Sequence, residues 1–278
     1  MSWQRYVKMF IAVLFLISAC VYASEKNSLS RSLQSKMEET GKLSLQFDAP
    51  KDKSYLPIQK IFEERGYFQN LVNLLNNKFI FPTNITIKFA EEDGPLYDPN
   101  DKTITMSYEF IMYVSSVYLK NNPKAADNAM IDFAQATTTF FLYHEIAHAL
   151  IDVWQIPVIS NEETAADNLA VILALEYTKD GNAIVMDTAR LFEMFEAEDH
   201  KYSDDDLWDE HALDAQRFYN VICLTYGQNP QKVLRELKEL NNKKLLEFIK
   251  QKGDYCESLY QQQFKSWVEV LDIHLLSD

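Results

Sequence analysis

A chain of 278 residues is long enough to bury a core in one large domain or two small lobes, and 47% hydrophobic with 13% aromatic residues excludes a disordered polymer. Its 41 acidic against 27 basic residues give a formal net charge of −14. That balance excludes nucleic acid as a partner, and an anionic membrane held by charge alone, because both need a basic patch.

The chain opens on an export signal. Arg5 and Lys8 precede the apolar run 9–19, which has signal-peptide length and is shorter than the roughly 20 residues of a membrane span. Two endings stay open. Val21-Tyr22-Ala23 suits cleavage before Ser24, which leaves a periplasmic or secreted protein. Ile17-Ser18-Ala19-Cys20 resembles a lipobox, which leaves Cys20 as a lipid anchor and the one route to a membrane. Cleavage after Ala23 removes two basic residues and no acidic one, taking the net charge to −16.

Residues 24–42 are polar and mixed in charge and read as a flexible lead, so the domain proper is expected over 43–278. Leu43–Phe47 alternates and predicts a short strand. Across 57–79 the positions of Ile58, Ile61, Phe62, Phe68, Leu71, Val72, Leu74 and Leu75 predict helix, broken near Gly66. Ile85–Phe89 predicts a second strand, Asp98-Pro99-Asn100-Asp101 a turn, and Thr103–Met106 a third strand. Beyond Glu109 the chain predicts helices near 109–120, 124–154, 161–178, 184–196, 211–226, 230–251 and 254–274, the second of which could be two. The run Asp204-Asp205-Asp206 lacks the glycine and spacing of an EF-hand and reads as a solvated loop. The fold class is therefore α+β: a small, mainly antiparallel N-terminal sheet with helices, then a helical lobe.

The chemistry concentrates at His144-Glu145-Ile146-Ala147-His148. Two histidines four apart on a helix project from one face and can share one ion, while the Glu between them can reach a water on that ion. A catalytic zinc takes three protein ligands and keeps one position open. Glu163 suits the third place, with Glu162 as the fallback. Asp167, one turn on, can accept a hydrogen bond from the non-ligating nitrogen of His144. Ser160-Asn161-Glu162-Glu163 also fits a capping box, in which Glu163 would bond back to Ser160.

HExxH followed by ExxxD is the gluzincin signature. The wider sequence resembles a bacterial metallopeptidase family inferred from this motif alone and otherwise of unknown function. The resemblance spans roughly residues 45–270. It rests on Leu96-Tyr97-Asp98-Pro99, Tyr108-Glu109, His144 to Asp152, Glu163 to Asp167, Asp209-Glu210-His211, Gln216-Arg217-Phe218-Tyr219-Asn220, Cys223 and Tyr226-Gly227. It implies a zincin-like fold with an active-site helix. Glu92 and Ser107 stand where cysteines are expected in that family, so one disulfide of the family is absent.

These readings converge on zinc-dependent hydrolysis of a peptide or protein substrate, with His144, His148 and Glu163 holding Zn²⁺ and Glu145 as general base. His211, oriented by Asp209 or Asp214, is the candidate to stabilise the oxyanion. Arg217 reads as an internal ion pair more readily than as a substrate contact, and Tyr108 reads as core. The Thr103–Met106 strand, if it lies at the sheet edge, would hold the substrate backbone. The rival readings are a non-catalytic zinc-binding envelope protein on the same scaffold, and a metal-free helical protein in which the motif is accidental. Cys223 and Cys256, an even pair beyond an export signal, are expected to form a disulfide closing a loop of 33 residues.

Overall fold

The computed structural model describes residues 41–159, 161–198, 202–239 and 242–276. The expected export signal, both of its expected endings and nearly all of the expected lead lie outside the described residues. Residues 42–278 form one compact unit.

Strand β1 (Leu43–Phe47) is followed by helices α1 (Leu56–Arg65) and α2 (Tyr67–Asn76). Gly66 alone separates them. Its φ of +60° ends α1 in the left-handed conformation that glycine adopts without steric penalty. Phe62 and Phe68 pack on Phe89 of strand β2 (Ile85–Ala90), and Asn76 brackets Leu43, accepting from its N–H and donating to its carbonyl, each at 2.9 Å. A strand followed by two helices and a return to the same side gives a parallel pair, and β1 and β2 run parallel, with Leu43 opposite Ile85.

Strand β3 (Leu96–Asp98), which periodicity does not reveal, sits beyond strand β4 (Thr103–Ser107) in a sheet of order β1-β2-β4-β3. The sheet is thus mixed and not mainly antiparallel. β2 pairs parallel with β4, and only the β3–β4 pair, joined by the Asp98–Asp101 turn, is antiparallel. β4 is buried from Ile104 to Ser107, as suits a strand covered on both faces, whereas β2 buries Ile85, Ile87, Phe89 and Ala90 and leaves Thr86 and Lys88 half-buried. β4 is consequently interior, and β3 takes the edge expected of it.

Helix α3 (Tyr108–Asn121) starts at a Ser107 cap, and Tyr108 is fully buried as expected, its hydroxyl donating to the Asp48 carbonyl at 3.0 Å. Helix α4 (Asp127–Val153) is one unbroken helix, buried over most of its surface from Phe133 to Ile151. It packs on α3, β3, β4 and the helices α5 (Glu162–Tyr177) and α6 (Gly181–Glu198). The acidic run falls in a short helix, α7 (Asp204–Trp208), where a loop is expected.

Helix α8 (Asp214–Gln228) packs against α6 and against the last helix, while α9 (Pro230–Glu239) and α10 (Lys243–Leu271) complete the lobe. The helical break lies between 239 and 243, not near Gly253. The Asn242 side chain caps α10 by accepting from the Leu245 N–H, and Gly253 is buried within that helix. Cys223 on α8 is bonded to Cys256 on α10, with Cα atoms 4.8 Å apart. Gly227 permits that approach, since a Cβ there would lie 2.3 Å from the Cys256 carbonyl oxygen. Among the described residues no helix is long and apolar enough to cross a membrane.

Candidate metal centre

The site is built where α4 meets the start of α5. His144 and His148 lie one turn apart on α4 and face the first turn of α5. That turn is set by Asn161, whose side chain caps the helix by accepting from the Thr164 N–H at 2.9 Å. The cap is Asn161, and Ser160, the first residue of the capping box the sequence offers, lies outside the described residues. Glu163, in the first turn, is free to point across to α4.

Its Oε2 is the meeting point of three imidazoles. His144 Nε2 lies 2.9 Å from it, His211 Nε2 3.0 Å and His148 Nε2 3.3 Å. The Nε2 atoms of His144 and His148 are 3.1 Å apart. Each ring also has its Nδ1 against a carboxylate: His144 on Asp167 at 2.8 Å, His148 on Glu162 at 2.8 Å and His211 on Asp209 at 3.2 Å. Glu162, the fallback ligand, thus serves as the partner of His148. A carboxylate accepts, so a neutral ring can keep its proton on Nδ1 and offer the Nε2 lone pair to an ion.

Three imidazole nitrogens and a carboxylate oxygen gathered within hydrogen-bond distance favour positive charge between them, whether protons or a metal ion. Donors at zinc-ligand distances of about 2.0–2.1 Å stand roughly 3.3 Å apart in a tetrahedron, close to the separations among His144, His148 and Glu163 and between Glu163 and His211. His144, Glu163 and His211 offer atoms all within 4.8 Å of one another. The residues present fit a divalent metal.

The electrostatics agree. Burial opposes protonation of His148, but Glu163 and Glu162 outweigh it and push the ring up to about 9. His144 is raised in the same way against burial, by Asp167 and Glu163. Burial pushes Glu163 up, yet the three imidazoles hold it far below the ordinary carboxylate range. The pocket is short of positive charge at the place where the Nε2 atoms converge.

Behind His144 the support is unusually firm. Burial would raise Asp167, but the Arg217 charge and His144 bring it down to about 2. Arg217 is forked onto it through Nε and Nη2, both at 2.8 Å, and its guanidinium lies 4.4 Å from the centre of the Phe192 ring. That pair is buried, which removes Arg217 from any contact with substrate.

Glu145 lines the same cleft, almost wholly buried, and burial raises its pKa despite the opposing charges of His144 and His148. The cleft encloses about 520 Å³. Its far wall is β3 with Pro95 and Pro99, tied down where Tyr97 and Lys102 donate to Asp152 at 2.6 and 2.7 Å. Those two donors hold Asp152 below its ordinary pKa although burial works against them. The motif reading passes over this wall. The spacing 144, 148, 152 carries the signal, since it puts Asp152 on the ligand face of α4.

A family model described as "Putative metallopeptidase" matches residues 47–271, and the chain belongs to that family. No curated protein and no solved structure matches it.

Proposed function

We propose that this protein is an exported, zinc-dependent peptidase of zincin-like fold that hydrolyses peptide bonds in the cleft between α4, α5 and β3. The observation that carries the reading is the convergence of the imidazole Nε2 atoms on Glu163 Oε2, each ring being locked from behind by a carboxylate. His144, His148 and Glu163 would hold the ion, and Asp167 would fix the His144 ring. The chemistry that a bound zinc supplies is Lewis acidity toward a carbonyl and a water.

The chain's own part is proton transfer and positioning. Glu145, beside His144 and with its pKa raised by burial, takes a proton from the attacking water and delivers it to the leaving amine. His211 on the cleft lip, whose protonated form is favoured by its hydrogen bond to Glu163, can in that form donate from Nε2 to the developing oxyanion when it turns from that carboxylate. The interior place of β4 moves backbone docking to the exposed edge of β3, where Leu96 and Tyr97 line the cleft. The Cys223–Cys256 disulfide suits an oxidising compartment outside the cytoplasm, in keeping with the export signal.

Metal analysis tests the foundation. The purified protein should hold one zinc per chain, and His144→Ala should lose it. A protein that stays metal-free in zinc-supplemented buffer would overturn the assignment.

A further inference from the structure

We propose that His211 is a fourth protein ligand of the metal in the resting protein, closing the site that His144, His148 and Glu163 alone would leave open. The inference rests on the metal reading above and deepens it.

Toward Glu163, His211 stands as the other two imidazoles do. Its Nε2 is 3.0 Å from Glu163 Oε2, between the corresponding distances for His144 and His148, and its ring lies over that of His144 with centroids 6.0 Å apart. Its tautomer is set in the same manner. Asp209 Oδ1 accepts the His211 backbone N–H at 2.7 Å and faces Nδ1 at 3.2 Å, so the neutral ring can keep its proton on Nδ1 and offer Nε2 to an ion.

A second connection fixes the strap that carries His211. Asn161, whose Oδ1 caps the turn bearing Glu163, donates from Nδ2 to the Glu210 carbonyl at 2.7 Å. One side chain thereby sets both Glu163 and the backbone next to His211, although they lie far apart in sequence. The mouth of the cleft at this side is formed by Glu210 and His211 themselves.

Three imidazoles and one carboxylate fill a tetrahedral set, the pattern of closed sites, whereas hydrolysis needs an open position. The four donors differ in how firmly they are held. The His144 side chain is 3% exposed and braced by the Arg217–Asp167 pair, while that of His211 is 43% exposed on a short connection between α7 and α8. His211 is the ligand that can leave. The resting protein is latent, and departure of His211 opens the site.

The test reads coordination directly. The purified protein is loaded with Co²⁺, and its visible absorption and its affinity, measured by competition with a chelating indicator, are compared with those of His211→Ala. Changes at residues that merely support a ligand weaken metal binding by roughly 10–100-fold. Loss of a true ligand should do at least as much, change the cobalt spectrum, and be reversed in part by added imidazole. The half-exposed ring makes His211→Ala a mild change for the fold, and its metal-free melting temperature serves as the control. Unchanged affinity and spectrum in His211→Ala, alongside a wild type that binds cobalt and loses it in His144→Ala, overturn the fourth ligand and leave the metal reading standing. A wild type that binds no metal overturns both.

Discussion

Replacing Arg217 with methionine is the sharpest probe of how the site is supported, because it needs no knowledge of the substrate. The guanidinium makes two 2.8 Å bonds to Asp167 in a buried setting. Methionine fills much of the volume but leaves the carboxylate with His144 as its remaining partner among these bonds. Breaking a buried pair by removing one member is destabilising by about 3–5 kcal/mol, chiefly because a charge stays behind without compensation. For a domain of this size each kcal/mol lowers the melting temperature by about 2–4 °C, so a fall of roughly 6–20 °C is expected in a calorimetric or fluorescence melt. Metal affinity should drop by about 10–100-fold as the His144 ring loses its fixed orientation. The double change Arg217→Met with Asp167→Leu should recover much of the stability, since no lone charge remains, while leaving the metal weakly bound. Arg217→Met melting within about 2 °C of wild type, less than 1 kcal/mol would produce, would refute the claim that this pair braces the site.

Glu145→Gln removes proton transfer and leaves the Nε2 donor set untouched. Zinc content should stay at the wild-type level and stability should hold or rise slightly, since burial already disfavours the charge. Turnover of any peptide the wild type cuts should fall by roughly 10²-fold or more, and wild-type turnover in this variant would exclude Glu145 as the base. The disulfide closes a loop of 33 residues, so Cys223→Ala with Cys256→Ala should lower stability in guanidinium by about 3–4 kcal/mol. Non-reducing peptide mapping should return the linked pair from the wild type. Asp187, away from the metal, has its carboxyl raised by burial against the pull of Arg190. Its native form holds a proton more tightly than the unfolded chain does. The stability it contributes is complete below about pH 4 and disappears as pH rises through the folded value. Asp187→Asn should flatten the melting temperature against pH across that window, and an unaltered profile would argue that the group is not perturbed.

Local pattern by itself makes much of this protein legible. Helix α4 follows from a run without glycine or proline, and HExxH on it puts His144 and His148 on one face because spacing of four is nearly one turn. The same arithmetic sets Glu163 and Asp167 on one face of α5, and Gly66 marks the break between α1 and α2. In each case partners lie within a turn or so of one another, and the backbone's own period brings them together.

Tertiary packing decided what the period cannot reach. Asp167 could not be matched with Arg217, 50 residues away, nor Asn161 with Glu210, 49 away, until α5 and α8 packed side by side. That Asn161 caps α5 through the Thr164 N–H, with Glu163 turned toward the histidines, is likewise settled by the folded turn. The sheet went the same way. Strand periodicity says which residues alternate but not which neighbour they join, so β4 came to lie inside and the three-residue β3 at the edge. His211 shows the limit most plainly. Its sequence neighbours offer Asp209 as an anchor, but its place beside Glu163 exists only because the turn between α7 and α8 is held over the mouth of the cleft. A side chain's chemistry is written in its own residue, whereas the company it keeps is fixed by burial of surfaces that lie far apart along the chain.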